Sequence, residues 1–259
     1  VRLNLPFQIG QLIGDTQDSD GQRALVFDFV YGNSIELSRV EPVSDLTASI
    51  AFAIAAIHNL PHELVQKSGF PELDPHQNLK YRVMELDRAA QTGKVPPILL
   101  QRWETALEDA SMFRYQPTVV HGAINGHSVL ELDGKVSGVL HWSGLRISDP
   151  AEDLAWVLGG ATTDLAKNLI ARYFEARPGA DVNLWSRALL YSELELARWL
   201  LHGYSQGSQE IIEDAVGMLL VLTEEVESGK AERIAAAPLA TEIAQQRRAE
   251  QATSNPVKN

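Results

Sequence analysis

A chain of 259 residues, 45% of them apolar and 22% charged, is long enough to bury a sizeable core and too apolar for wholesale disorder. Its formal net charge of −12 sets a long-range repulsion against nucleic acid and anionic membrane surfaces, and the pair Arg247-Arg248 is too short to form a basic patch. The absence of cysteine excludes a disulfide framework, a thiol nucleophile and a cysteine-ligated zinc site. No apolar run reaches the roughly eighteen residues needed to span a bilayer, and the N-terminus lacks the basic-then-apolar pattern of a signal peptide, so the cytoplasm is the expected compartment.

In chain order, residues 3–13 and 23–31 are apolar and β-rich. The polar stretch 15–22 between them suits the turn of an antiparallel hairpin, and Gly32-Asn33-Ser34 breaks the second strand. Residues 45–60 read as a helix that Ser44 or Asp45 can cap, with Leu46, Ile50, Ile54 and Ile57 forming one buried stripe. His58 near its end reads as a packed helix-end histidine, because nothing nearby supplies a nucleophile for it to activate. Residues 71–77 are turn-rich. Residues 79–91 and 97–112 read as amphipathic helices on either side of a break at Gly93 and Pro96-Pro97.

The densest signal is the frame Val119-Val120-His121-Gly122-Ala123-Ile124-Asn125-Gly126-His127-Ser128-Val129-Leu130. It is followed by a hairpin turned at Asp133-Gly134, by Val139-Leu140-His141-Trp142, and by Asp149-Pro150-Ala151-Glu152-Asp153-Leu154-Ala155-Trp156. This cassette resembles the aminoglycoside and macrolide phosphotransferase family, a small-molecule branch of the kinase-like fold, whose pattern is His-Gly-Asp, four residues, Asn, then a strand ending in Asp. On that resemblance the catalytic Asp falls on Ala123, the metal-binding Asn on Ser128 and the second metal-binding Asp on His141, while His121 keeps its place. The resemblance further implies that Asp153 holds the loop around residues 121–123 through hydrogen bonds. Asp149 fits that frame, and it equally fits a helix cap with Pro150 at the first helical position.

The same resemblance extends to Ala55-Ala56-Ile57-His58-Asn59-Leu60-Pro61, close to the family's Ala-x-x-Leu-His-x-Leu-Pro signature. It makes Phe27, Asp28, Phe29, Val30 and Tyr31 the hinge whose backbone would meet an adenine ring. An ordinary strand end followed by a turn is the competing reading. In the family, a nucleotide-covering hairpin, a strand with the phosphate-binding Lys and a helix with its Glu partner come before this point. No such run is present here, and residues 1–14 already resemble the strand that follows them, as in a fragment or a truncated small lobe.

After the cassette come a helix over 153–158, a break at Gly159-Gly160, and helices over 164–177, 184–204 and 210–227. Leu190, Leu194, Ala197 and Leu201 form the stripe of the second. Ile211, Ala215, Met218, Leu222 and Val226 form that of the third. Trp185 and Trp199 read as core or groove aromatics. The tail 228–259 loses its large apolar residues, which predicts a frayed helix and then disorder. The expected architecture is α+β and protein-kinase-like, of the aminoglycoside phosphotransferase type. It comprises an incomplete small β lobe with its hinge (1–32), a mainly helical large lobe carrying the inserted hairpin (33–227), and the tail.

Phosphoryl transfer needs a carboxylate to orient and deprotonate the acceptor hydroxyl, and oxygen ligands to hold magnesium on the nucleotide phosphates. Ala123 offers neither, and imidazole at His141 is a poor exchange for a hard oxygen ligand. The leading expectation is therefore a phosphotransferase-like pseudokinase without a cofactor. It would act as a binding or assembly module that receives a protein or small molecule in the large-lobe groove, with no nucleic-acid or membrane partner. The opposing one is an active ATP- and magnesium-dependent small-molecule kinase in which Asp149, Glu152 or an upstream residue replaces the missing groups. Aminoglycoside is a weak substrate guess, because no conspicuous acidic cluster is present to grip a polycation. A third expectation is a transition-metal cluster of His121, His127 and His141.

Overall fold

The computed structural model describes residues 5–17 and 19–236. In chain order these form β1 (Leu12–Gln17), β2 (Arg23–Phe27), β3 (Asn33–Ser34), α1 (Asp45–His58), α2 (His62–Lys67), α3 (Pro75–Gln91) and α4 (Pro97–Glu108). Then follow β4 (Thr118–Val120), β5 (Val129–Leu132), β6 (Lys135–Val139), β7 (Arg146–Ser148), α5 (Ala151–Gly160), α6 (Thr163–Ala176), α7 (Leu184–Gln206) and α8 (Gln209–Glu227). The strands make three small antiparallel sheets, β1-β2, β3-β5-β6 and β4-β7.

The expected N-terminal hairpin forms, with shifted ends. Its first strand begins at Leu12, and the stretch before it leaves the hairpin to run beside β6, where the Gln8 N–H donates to Ser137 O (2.8 Å) and Gln8 O accepts from the Val139 N–H (2.9 Å). The cause is burial: Phe7 enters the main core, whereas Leu12, Ile13, Leu25, Val26 and Phe27 stay exposed on the hairpin. Arg23 pairs with Asp15, so the expected turn is partly strand. The second strand stops at Phe27, short of Tyr31.

α1 is capped by Ser44, whose side chain accepts the Thr47 N–H, and its Ile50, Ile54 and Ile57 are fully buried. It packs beneath β6, where Ser49 Oγ accepts the Val136 N–H at 2.9 Å. α3 begins inside the stretch expected to be a turn, because Asp74 and Gln77 close a capping box around Pro75. α2 has no counterpart among the expected elements. α5 runs through Gly159 and Gly160 instead of breaking there; both lie close to neighbours, Gly159 to Ser192 and Gly160 to Leu37. On α8 the buried residues are Ala215 and Leu219, and Met218 faces outward at 45% exposure.

One hydrophobic core joins α1 and α3–α8 with the β5-β6 hairpin. Past α8 the chain is not a fraying helix as far as it is described. Ile234 and Ala236 pack on the core, and Ala235 O accepts from Ser186 Oγ at 2.6 Å. The remainder of the expected disordered tail, from residue 237, lies outside the described residues, as do residues 1–4.

Candidate functional site

The end of β4, the start of α5 and the end of α1 converge on one buried carboxylate. Asp153 accepts the His121 N–H at 2.7 Å on Oδ2 and the Gly122 N–H at 2.8 Å on Oδ1. His58 Nε2 lies 3.1 Å from the same Oδ2, and His58 Nδ1 lies 2.7 Å from the Tyr173 hydroxyl, which accepts in turn from Arg177. Burial on its own would raise the Asp153 carboxyl. The hydrogen bonds from His58 and the Gly122 N–H outweigh it and hold the group below the usual carboxylate range. Burial dominates at His58 and pushes it below the usual histidine value despite Asp153. The network thus fixes a neutral imidazole that donates to an ionised carboxylate and accepts from Tyr173. Sequence reading placed Asp153 under the loop; it did not connect His58, 95 residues away, to it.

His121 is buried, its Nε2 donates to Leu140 O (2.8 Å), and its ring packs on Trp142 at 4.8 Å. It latches the loop to the end of the β5-β6 hairpin. Arg146, also missed from sequence, ties the loop from the other side. Its Nη1 donates to Gly144 O (2.9 Å) and Gly122 O (3.3 Å), and its Nη2 pairs with Glu152.

Within this scaffold Ala123 presents a methyl group to solvent. Ser128 points inward: its buried Oγ donates to Asn125 O (2.9 Å) and accepts the Asn125 N–H (2.8 Å). The Asn125 side chain completes the turn by accepting the N–H groups of His127 (2.9 Å) and Ser128 (3.1 Å). His141 is exposed in a left-handed conformation, φ 64° and ψ 48°. An apolar methyl, a hydroxyl already held by backbone and an imidazole do not make a magnesium site, which calls for oxygen ligands. His121 is spent on Leu140, and among the described residues no group of three or more His, Asp or Glu could hold a metal. The three-histidine cluster therefore does not assemble.

Asp149 and Glu152 are both engaged. Buried Asp149 accepts Arg187 Nε (2.7 Å) and Nη2 (3.1 Å), the Tyr191 hydroxyl (2.8 Å) and the Ala151 N–H (2.9 Å), so it serves both as a helix-start acceptor and as an ion partner. Pro150 occupies the cap position itself, one place before the expected one. Glu152 is met by Ser148 Oγ (2.7 Å), Asn78 Nδ2 (3.0 Å), Arg82 Nη2 (3.2 Å) and Arg146.

In the expected hinge, Phe27, Phe29 and Tyr31 are exposed and Val30 is buried. The Asp28 N–H donates to Gln11 O (2.9 Å), its carboxylate accepts the Gln11 N–H, and Tyr31 O accepts from Ser137 Oγ (2.6 Å). Two of the backbone groups that would greet an adenine are already paired within the chain. Gly32, at φ 151°, is required because a Cβ there would lie 2.4 Å from Ser137 Oγ.

The sequence model of the phosphotransferase enzyme family matches residues 6–191. The chain belongs to this family. The phosphotransferase frame is also seen in solved structures. The macrolide 2'-phosphotransferase MphH from Brachybacterium faecium aligns at TM-score 0.70 and 20% identity over 83% of this chain and 74% of that one. A GDP complex of wild-type aminoglycoside 2'-phosphotransferase-IIIa aligns at TM-score 0.67 and 19% identity over 83% of this chain and 75% of that one. At these identities the likeness establishes the mixed α/β, kinase-like fold. The uncharacterized protein YcbJ of Bacillus subtilis (strain 168) is 23% identical over 150 residues, 56% of this chain but only 47% of its own length.

Proposed function

We propose that this phosphotransferase-family chain has lost phosphoryl transfer and acts as a binding or assembly module, with its large lobe receiving a small molecule or a protein. The observation that carries this reading is Ala123, a methyl group on a loop whose supports remain built. Asp153, His58, His121 and Arg146 still hold the backbone in place, while the position that would orient and deprotonate an acceptor hydroxyl has no polar atom. Loss of a general base by itself removes roughly 10²–10⁴ in rate.

The inward hydroxyl of Ser128 and the imidazole of His141 argue against a magnesium-bound nucleotide. The rival reading, an active kinase using Asp149 or Glu152, would require a carboxylate to leave a saturated network of buried partners. Incubating the protein with radiolabelled ATP or GTP, magnesium, and a panel of aminoglycosides, macrolides and amino alcohols tests the proposal. The expected result is no product above the protein-free control. Sustained product formation that is abolished by Glu152→Gln or Asp149→Asn in a folded variant would replace it with the active-kinase reading.

A further inference from the structure

A cavity of about 620 Å³ lies away from the Ala123 loop, between α5, α6, α7 and α8. Leu158, Ala166, Leu189 and Leu222 give it an apolar wall drawn from all four helices. That volume falls in the range of small-molecule sites, in which an apolar lining supplies affinity and a few polar groups fix orientation. Its polar lining comprises Thr163, Ser192, Glu193, Glu225, Lys230 and Glu232, of which the last four are charged types.

Their partners separate them. Glu193 is closed to a ligand, since Arg102 Nε (2.9 Å) and Nη2 (2.7 Å) and Trp103 Nε1 (2.8 Å) occupy its carboxylate. Glu232 is half engaged: one oxygen accepts Trp185 Nε1 at 2.8 Å. Glu225 is exposed, and its side chain meets no hydrogen-bond or ion partner among the described residues. Its backbone is nevertheless fixed, because its carbonyl accepts the N–H groups of Lys230 (2.9 Å) and Ala231 (3.0 Å). Two accessible carboxylates thus stand against one ammonium, in a chain of net charge −12.

We propose that this cavity binds a small, largely apolar molecule carrying a single ammonium group, with the hydrocarbon body on the wall between Leu158 and Leu222 and the cation between Glu225 and Glu232. The charge balance selects a cation over an anion. The apolar wall selects a monoamine over a polycation, whose further charges would be desolvated against it without partners. The site shares no lining residue with the Ala123 loop, so its occupancy is independent of whether that loop transfers phosphate.

Calorimetric titration of the whole 259-residue chain with three isosteric probes, 1-adamantanamine, 1-adamantanol and 1-adamantanecarboxylate, tests the proposal without nucleotide. The amine is expected to bind about tenfold more tightly than the alcohol, and the carboxylate most weakly. Glu225→Gln combined with Glu232→Gln should bring amine and alcohol to parity with the alcohol unchanged. Val221→Trp, at an exposed wall position, should weaken all three. The proposal is overturned if no probe binds saturably, if the carboxylate equals the amine, if the double Gln variant keeps the preference, or if Val221→Trp leaves binding unaltered. Because the readout is equilibrium binding, any of those failures leaves the reading of the Ala123 loop untouched, and phosphoryl transfer by the protein would leave this site untouched.

Discussion

The Asp153 carboxylate accepts the backbone N–H of His121 at 2.7 Å, and this contact ties the start of α5 to the loop that ends β4. With the Gly122 N–H and His58 it gives one fully buried carboxylate three donors. Asn at this position would keep one acceptor oxygen and turn an NH2 group toward donors. Asp153→Asn should therefore cost about 2–4 kcal/mol, since buried donors would be left without partners. Chemical denaturation at neutral pH should show a lower midpoint and an unfolding free energy reduced by that amount, and hydrogen exchange should show faster opening at His121 and Gly122. An unchanged midpoint would mean that the loop is held elsewhere, chiefly by Arg146.

His58 and Asp153 set an acid sensitivity. His58 is lowered in the fold from its ordinary value of 6.5 by burial, so the unfolded chain takes up a proton that the folded one resists. Its contribution is complete above about pH 6.5 and is lost as pH falls toward the lowered value, with a slope of at most about 1.4 kcal/mol per pH unit. Asp153, lowered from 3.8, acts in the same direction but only below that pH, as pH falls through its folded value. The thermal midpoint should drop between pH 7.5 and 5, and His58→Gln should flatten part of that drop. Equal slopes in both proteins would show that His58 does not bring the proton linkage.

Much of this scaffold is legible in the chain because it is local. Ser44 beside an Ile50, Ile54, Ile57 stripe specifies α1, and Asp133-Gly134 between apolar strands specifies the β5-β6 hairpin. The position of Asp153 under the loop is legible only through the resemblance of the cassette to the phosphotransferase family. What resists reading is set by contacts distant in sequence. Residues before Leu12 have strand composition, yet Gln8 pairs with β6 because Phe7 finds the core there. His58 meets Asp153 across 95 residues, a partnership that no local periodicity encodes. Met218 and Leu219 are equally apolar, and only the approach of α7 decides that Leu219 goes inside. The Asp74, Pro75, Gln77 capping signal was present within the expected turn, and its two turn formers obscured it.

Gly144 offers a steric test of the loop's surroundings. A Cβ at this position would lie 2.9 Å from His121 O, 3.0 Å from Gly122 C and 3.1 Å from Ala123 Cβ, and the first two are backbone atoms that cannot rotate aside. Gly144→Ala should therefore push the loop outward at a cost of about 1–3 kcal/mol, in the range of overpacking in a packed region. Differential hydrogen exchange should place the perturbation at residues 121–123. If the variant is as stable as the parent and exchange there is unchanged, the loop has slack, and its present shape is not dictated by the Gly144 contact.

Asp149 and Arg187 make the clearest case for distinguishing structural carboxylates from spare catalytic ones. Both side chains are fully buried, at 2.7 Å, with Tyr191 and Asp181 completing the set. Removing either partner leaves a charge in a low-dielectric interior. Asp149→Leu and Arg187→Met should each cost about 3–5 kcal/mol, whereas the double variant should cost clearly less than their sum, because it leaves no orphaned charge between these two. Some cost persists, since Asp181 and Tyr191 also lose a partner. A double-mutant cycle by urea unfolding reads the coupling directly, with about 2 kcal/mol or more expected. Additive losses would mean that Asp149 and Arg187 are energetically independent, and would reopen Asp149 as a carboxylate available for chemistry.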